Sequence, residues 1–190
     1  MDNELERAVA GYPATSVDLL AGLSDSERAE LVELRDAVYP PAADAEWSGA
    51  DMEWAAARWR VGIWAAEDEL VCHAGLLVRT GRFDDAEVTI AGVGGVKTHP
   101  DHRGRGYGAL AMRAAQEFFR SRGDIDFALL VCDPPLLGYY AALGWQEFEG
   151  RLSVTQFGKR SKFDFSRVMV LPIGGPAPVG GMLDLAGPPW

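Results

Sequence analysis

The sequence predicts an α+β or mixed α/β fold, on three observations. Residues 61–98 read as successive antiparallel strands joined by short polar turns. One long amphipathic helix then starts at Tyr107, directly after a glycine-rich turn, and is followed by the continuous apolar run Phe127–Cys132. Strand patterns resume at Trp145–Val154 and Arg167–Ile173, so the order is strands, helix, strand, short helix, strands. The 190 residues suffice for one domain with a sizeable core, read as 1–190 with 174–190 as a tail.

Each element has a local reason. Residues 1–15 read as loosely structured, and Val17–Leu20 as a short strand. Ser24-Asp25-Ser26-Glu27 fits a capping box, with Ser24 as N-cap and Glu27 reaching back. The helix that follows puts Leu31, Leu34 and Val38 on one face and ends at Pro40-Pro41. Residues 42–52 read as a loop, and Met52–Trp59 as a short helix carrying Trp54 and Trp59. Val61–Ala66 is a strand, Glu67-Asp68-Glu69 a turn, and Leu70–Thr80 a second strand closed by Gly81, with residues 81–85 turning the chain. Val88–Thr98 is a third strand, interrupted by Gly92, Gly94 and Gly95. Glycine inside a strand marks a bulge or a close approach of a ligand to the backbone, and its place just upstream of a phosphate-type turn favours the ligand. The helix from Tyr107 to Ser121 places Leu110, Ala114 and Phe118 on one face, with Gly123 as its C-cap. Phe127–Cys132 reads as a strand buried on both faces, ended by Asp133-Pro134-Pro135; Leu136–Leu143 is a short helix capped by Gly144. From Gly174 onward Gly and Pro dominate, which alone would suggest a frayed terminus.

Composition excludes several classes. A net charge of −10 argues against a nucleic-acid partner, because phosphates call for a basic face. It is compatible with a cationic small molecule, though on charge alone a plain solvated surface is the favoured reading. Cys72 and Cys132 lie in strand-like apolar runs without a second Cys or His at ligand spacing, so neither a zinc site nor a disulfide is expected. Buried thiols in a reducing cytoplasm are the expectation. Met1-Asp2-Asn3-Glu4 is acidic and leads into no apolar run, which does not read as a signal peptide, and no apolar stretch approaches the ~18 residues of a membrane span.

The informative stretch is Val96 to Gly108, which ends in Arg103-Gly104-Arg105-Gly106-Tyr107-Gly108. Backbone N–H groups of a glycine-rich turn at a helix N-terminus form a seat for a phosphate or pyrophosphate. A P-loop is unlike it, lacking Gly-Lys-Ser/Thr. A dinucleotide fingerprint is closer: Gly104, Gly106 and Ala109 match its permissive form, with Asp124 or Asp126 downstream. In that fold, however, the first glycine follows the strand directly, whereas here His99–Arg103 intervene and hairpins precede the strand.

Val-x-x-x-Pro-x-x-Arg-Gly-x-Gly-x-Gly, at Val96–Gly108, resembles the acetyl-CoA-binding motif of the GCN5-related N-acetyltransferases (GNAT). Leu129–Asp133, a short helix and then Tyr140-Ala141-Ala142-Leu143-Gly144-Trp145 resemble that family's second motif. The resemblance implies a mixed, mostly antiparallel sheet flanked by helices, whose fourth and fifth strands (here Val88–Thr98 and Phe127–Cys132) splay apart for the pantetheine arm. Within the family the chain looks similar to the aminoglycoside 2′-N-acetyltransferases, through the Ser-Glu-Arg start of the first helix near Ser26, Glu53-Trp54, Ile63-Trp64, Val170-Leu171-Pro172-Ile173, Met182-Leu183-Asp184 and the final Trp190. In that branch the C-terminal Trp carboxylate reaches the cationic drug, and a chain stopping at Trp190 fits the role.

Acetyl transfer needs a deprotonated amine, a donor to the thioester oxygen, an acid for the leaving sulfur, and close alignment. The resemblance puts Tyr140 in the acid's place, with Tyr139 as a packed structural neighbour. It puts the Val96 N–H at the thioester carbonyl, the Thr98 backbone on pantetheine and Arg103, Gly104, Arg105, Gly106, Tyr107 and Gly108 on the pyrophosphate. Lys97 reads as surface. The branch's basic glutamate falls on Gly94, which does no proton chemistry, so the base lies elsewhere or is water in an acidic cleft; Asp133 at the end of the fifth strand is the best local candidate, against an alternative as an Asx cap, and His73 and His99 read as structural. Glu53, Asp164 and Trp190 fall on substrate-binding positions, while Pro188 replaces a further acidic one. The expected function is acetyl-CoA-dependent N-acetylation of an aminoglycoside-like antibiotic, of the 2′ or kasugamycin type, by a cytoplasmic enzyme, possible as a homodimer, with no metal. Acetylation of another small or protein amine and a non-catalytic acetyl-CoA-binding module are the alternatives.

Overall fold

The structure is a computed structural model and describes residues 16–40, 49, 51–65 and 69–190. Two compact units share the chain. The first comprises Met1–Ala50, Arg58–Leu76 and Gly95–Glu117, and the second Asp51–Ala57, Leu77–Gly94 and Phe118–Trp190. The expected loop at 42–52 and turn at 67–69 fall largely outside the described residues.

In the first unit β1 (Ser16–Leu20) pairs antiparallel with β2 (Trp59–Trp64), and β2 pairs antiparallel with the opening half of β3 (Leu70–Phe83). Helix α1 (Asp25–Val38) begins with the predicted capping box, the Ser24 side chain accepting the Glu27 N–H and the Glu27 carboxylate accepting the Ser24 N–H. It buries Leu34 fully and ends at Tyr39, just before the two prolines. Val61, Ile63, Val71, Cys72, Ala74 and Leu76 are buried along β2 and β3, as apolar strand residues require.

The strand order is β6-β9-β5-β4-β3-β10-β7-β8, built from β4 (Ala86–Thr98), β5 (Phe127–Cys132), β6 (Gln146–Glu147), β7 (Arg151–Gln156), β8 (Lys159–Phe163), β9 (Arg167–Pro172) and β10 (Met182–Asp184); the second unit takes β3 from Leu77 and β4 up to Gly94. The sheet is mixed. β4 and β5 run parallel, as do β10 and β7, and the other described pairings are antiparallel. The β4–β5 ladder joins Ile90–Val93 to Phe127–Leu130 and stops, although β4 continues to Thr98 and β5 to Cys132. Helix α2 (Tyr107–Arg122), in the first unit through Glu117, leaves the glycine turn, with Gly123 at φ +71 behind it. Its fully buried aromatic is Phe119 rather than Phe118. A short 3-10 turn, Pro134–Leu136, leads into α3 (Leu137–Ala141). Ile90, Phe127, Leu129, Phe148, Leu152, Val170, Leu183 and Trp190 belong to one apolar core.

Three elements differ from expectation. Met52–Trp59 forms no helix. The Glu53 N–H and carbonyl are taken by the Gln156 side chain, and the Ala55 N–H donates to the Pro189 carbonyl at 2.7 Å, so the backbone bonds sideways instead of along itself. Gly81 does not close β3, which continues to Phe83; its missing side chain makes room for the Asp184 carbonyl of β10, 2.6 Å from where a Cβ would lie. Trp145–Val154 is two strands, because Gly150 fits against Phe148 and the Gly181 backbone and breaks the run.

Candidate active site

The strand β4 ends at Thr98 and the chain turns through Pro100–His102. His99 accepts the Asp101 N–H at 3.3 Å, and His102 Nε2 faces a Glu69 oxygen at 3.4 Å, which anchors this turn. Gly104 (φ +73) and Gly106 (φ +83) then adopt left-handed backbone, which side chains resist. The Leu110 N–H bonds the Gly106 carbonyl and starts α2. Arg103 Nε donates to the Thr98 carbonyl at 3.3 Å and Arg105 Nη2 to the Asp101 carbonyl at 3.2 Å, so both exposed guanidiniums brace the turn they belong to. Nothing stands within 4 Å of a Cβ built on Gly104. Tyr107 is buried, and Gly108 lies in the first turn of the helix. The Thr98 hydroxyl is paired with Cys72 Sγ at 3.3 Å.

Upstream, Gly95 has φ +58 within β4. Its carbonyl oxygen meets His73 Nδ1 at 3.0 Å and Lys97 Nζ at 3.1 Å. Lys97 is therefore more than surface: it stands over the Tyr39 ring at 6.0 Å, and burial holds its ammonium pKa below the usual value, with Arg35 adding to the effect.

In the second unit, Tyr140 is the buried tyrosine of α3, 6% exposed, and Tyr139 is 38% exposed, the reverse of the expected arrangement. On so short a helix the two neighbours face different ways, and Tyr140 turns its ring toward Trp145, at a centroid distance of 6.4 Å. Asp133 is exposed at the end of β5. Its carboxylate makes no cap bond to the turn that follows and accepts the Ser166 hydroxyl at 3.4 Å, so the Asx-cap alternative is not what holds it.

Trp190 is buried, and its seat explains two of the β4 glycines. A Cβ on Gly92 would collide with the Trp190 indole, and one on Gly94 would stand 2.6 Å from the Trp190 carbonyl carbon. The indole N–H donates to the Leu129 carbonyl at 2.9 Å. Arg79 lies over the ring at 5.3 Å and donates to the Pro188 carbonyl at 2.7 Å. Gly92 and Gly94 thus make room for the chain's own tryptophan, where the sequence suggested a ligand. Two further segments adjoin this one: Ala55 bonds Pro189, and the Trp54 ring meets Phe165 edge-on at 6.2 Å. Glu53 and Asp164 flank those contacts. One Glu53 oxygen accepts the Phe157 N–H at 2.8 Å, and Asp164, largely exposed, pairs with Lys162 at 3.3 Å.

A family profile described as "Acetyltransferase (GNAT) domain" matches residues 21–148, well over half of the chain. The chain belongs to the GNAT acetyltransferases. Among solved structures, this GNAT acetyltransferase is similar to Escherichia coli ElaA at 19% identity and TM-score 0.59, covering 83% of this chain and 99% of that one. It is also similar to a GNAT family acetyltransferase from Brucella melitensis in complex with acetyl-CoA, at 18% identity and TM-score 0.56, over 88% and 94% of the two chains. A GCN5-related N-acetyltransferase from Kribbella flavida matches at 21% identity and TM-score 0.53 over 73% of this chain, which spans about a third (34%) of that protein's length. No curated protein matches the chain. These likenesses are of fold, and the aminoglycoside branch is not singled out among them.

GNAT acetyltransferases use acetyl-CoA. The Arg103–Gly108 turn fits a diphosphate: a 16-residue helix offers its N-terminus, Gly104 leaves open space, and two guanidiniums lie beside it. The contribution that sequence reasoning missed is His73, whose position in an apolar strand gave no hint of its bond to Gly95.

Proposed function

We propose that this GNAT acetyltransferase, with 1–190 acting as one catalytic domain, acetylates an amino group of an aminoglycoside-like antibiotic, at a 2′-type or kasugamycin-type position. The supporting observation is the convergence of three segments of the second unit, 53–55, 164–165 and 189–190, each carrying one candidate substrate residue: Glu53, Asp164 and Trp190. Carboxylates suit a cationic aminosugar.

When bound, acetyl-CoA supplies an activated acyl group. In this reading Arg103 to Gly108 hold its diphosphate, and the Thr98 backbone pairs with the pantetheine arm. The Val96 N–H donates to the acyl oxygen as it gains charge. Asp133 takes the amine proton, directly or through water, as the C–N bond forms. Tyr140 gives its hydroxyl proton to the sulfur as the C–S bond breaks, leaving an amide and the CoA thiol; a phenol with a pKa of ~10 suits that task. Both substrates are bound together, in a ternary complex. The buried thiols Cys72 and Cys132, both pushed up to about 11 chiefly by burial, are in keeping with a reducing cytoplasm. A homodimer belongs to the same reading, to be checked by sedimentation.

The occupied state of Glu53 and Asp164 favours a second reading, in which the amine is not a polycationic drug but another small or protein amine. A panel of aminoglycosides, polyamines, amino acids and N-terminal peptides separates the two. Turnover of an aminosugar is the expected result, and turnover confined to other amines replaces the substrate class. Tyr140→Phe is expected to keep acetyl-CoA binding and to lose at least ~10-fold in kcat; unchanged turnover removes Tyr140 as the acid. A chain that binds acetyl-CoA but acetylates no amine in the panel would be a sensing module.

A further inference from the structure

His73 is a buried polar residue in the apolar run of β3, and burial pushes its pKa down to about 4, so the ring is neutral near pH 7. A neutral imidazole has one N–H and one lone pair. Nδ1 lies 3.0 Å from the Gly95 carbonyl oxygen, which only accepts, so the proton sits on Nδ1. Nε2 is then the bare lone pair, buried and without a hydrogen-bond partner among the described residues. The unpaired nitrogen is a cost, and it is accepted for one bond, the bond to Gly95.

That bond has leverage. The Gly95 carbonyl and the Val96 N–H are opposite ends of one trans peptide, and planarity makes them point opposite ways. Gly95 sits at φ +58, and a glycine peptide flips easily. A flip would carry the Val96 N–H to the other side of the strand. Lys97 Nζ is the second donor to the same oxygen, at 3.1 Å. Donors on the oxygen also polarise the amide and strengthen its N–H as a donor.

We infer that His73 is a positioning residue: through Nδ1–H···O=C it fixes the Gly95–Val96 peptide with the Val96 N–H turned away from His73, toward the acyl oxygen, with Lys97 as a secondary donor. The inference rests on the role given to the Val96 N–H under Proposed function, and it adds the group that sets that N–H.

The test compares His73→Leu, which removes the donor, with His73→Asn, whose amide nitrogen falls close to the place of Nδ1. In the free protein, the Val96 amide resonance is expected to shift or split in His73→Leu and to return toward its original position in His73→Asn. In steady-state kinetics His73→Leu should lose ~10-fold or more in kcat while the KM for acetyl-CoA stays within ~3-fold, and His73→Asn should recover most of the loss. Lys97→Met should cost less, ~3-fold in kcat. An unmoved Val96 resonance in His73→Leu overturns the proposal. So does wild-type kcat in that variant, or an equal fall of kcat, affinity and melting temperature in the Leu and Asn variants, which would mark a packing role. If the wild type binds acetyl-CoA without moving the Val96 amide, the reading of Val96 fails instead, and the free-protein resonances still report whether His73 holds the peptide.

Discussion

Gly104 and Gly106 differ from Gly92 and Gly94 in what their missing side chain is for. The first pair sits at φ +73 and +83, and around Gly104 there is open space. Glycine is needed there for the backbone conformation, and the room left over is available to a ligand. The second pair has no left-handed backbone, and the space a Cβ would fill is occupied by Trp190. Glycine is needed there for close packing inside the chain. Gly95, at φ +58, stands between the two cases: its conformation is left-handed and its carbonyl is committed to His73 and Lys97. The same residue type in one strand and the turn beyond it thus serves an open left-handed turn, a core and a single oriented peptide.

The largest expected effect breaks the packing side of this contrast. Gly92→Ala puts a methyl group into the Trp190 indole and should cost ~3 kcal/mol, read by denaturant or thermal unfolding. In a Trp190→Ala background the same change should cost little, because the clashing ring is gone. Additive losses would show that Gly92 is needed for something else. Acid tests Gly95's partner. The folded chain leaves His73 neutral down to about pH 4, whereas an unfolded histidine takes up its proton near 6.5. Between those values the unfolded state binds more protons, so stability falls as pH falls, by up to ~3 kcal/mol in total. His73→Asn should lack that component of the pH dependence; an unchanged slope would assign it to other groups. Arg79→Ala removes the donor to Pro188 and the cation over Trp190, for an expected ~1–2 kcal/mol, with Arg79→Lys recovering part of it. Equal stability in all three would leave the Trp190 seat to the glycines alone. Gly104→Ala should cost about as much in strain, ~1–2 kcal/mol, but its distinguishing effect is on binding: at least ~10-fold weaker acetyl-CoA by calorimetry.

The elements legible in the sequence are those whose causes are local. The capping box at Ser24, the glycine-led helix from Tyr107 and the apolar run Phe127–Cys132 each carry their signal within a few residues, and each forms as read. The Met52–Trp59 stretch went astray because its backbone partners, Gln156 and Pro189, are a hundred or more residues away. Strand β8 gave no signal, since Lys159–Lys162 are all polar and exposed and the strand owes its place to the Phe157–Gly158 turn, with both residues at positive φ. Strand β10 hid within a Gly/Pro-rich stretch and forms because Leu183 is buried between β3 and β7. In the site, the spacing of the Val96–Gly108 motif marked the turn but could not reveal that Gly94 faces Trp190, nor that His73 reaches Gly95, because both contacts join distant parts of the chain.

The location of the cofactor can be measured without any amine. The chain's 20.6 kDa permits an amide map of the protein during titration with acetyl-CoA. The Gly104, Gly106, Tyr107, Gly108 and Val96 amides should show the largest shifts, while Gly92, sealed beneath Trp190, should move little. Saturable binding that leaves the 104–108 amides and Val96 in place would contradict the assignment of the glycine turn as the acetyl-CoA seat.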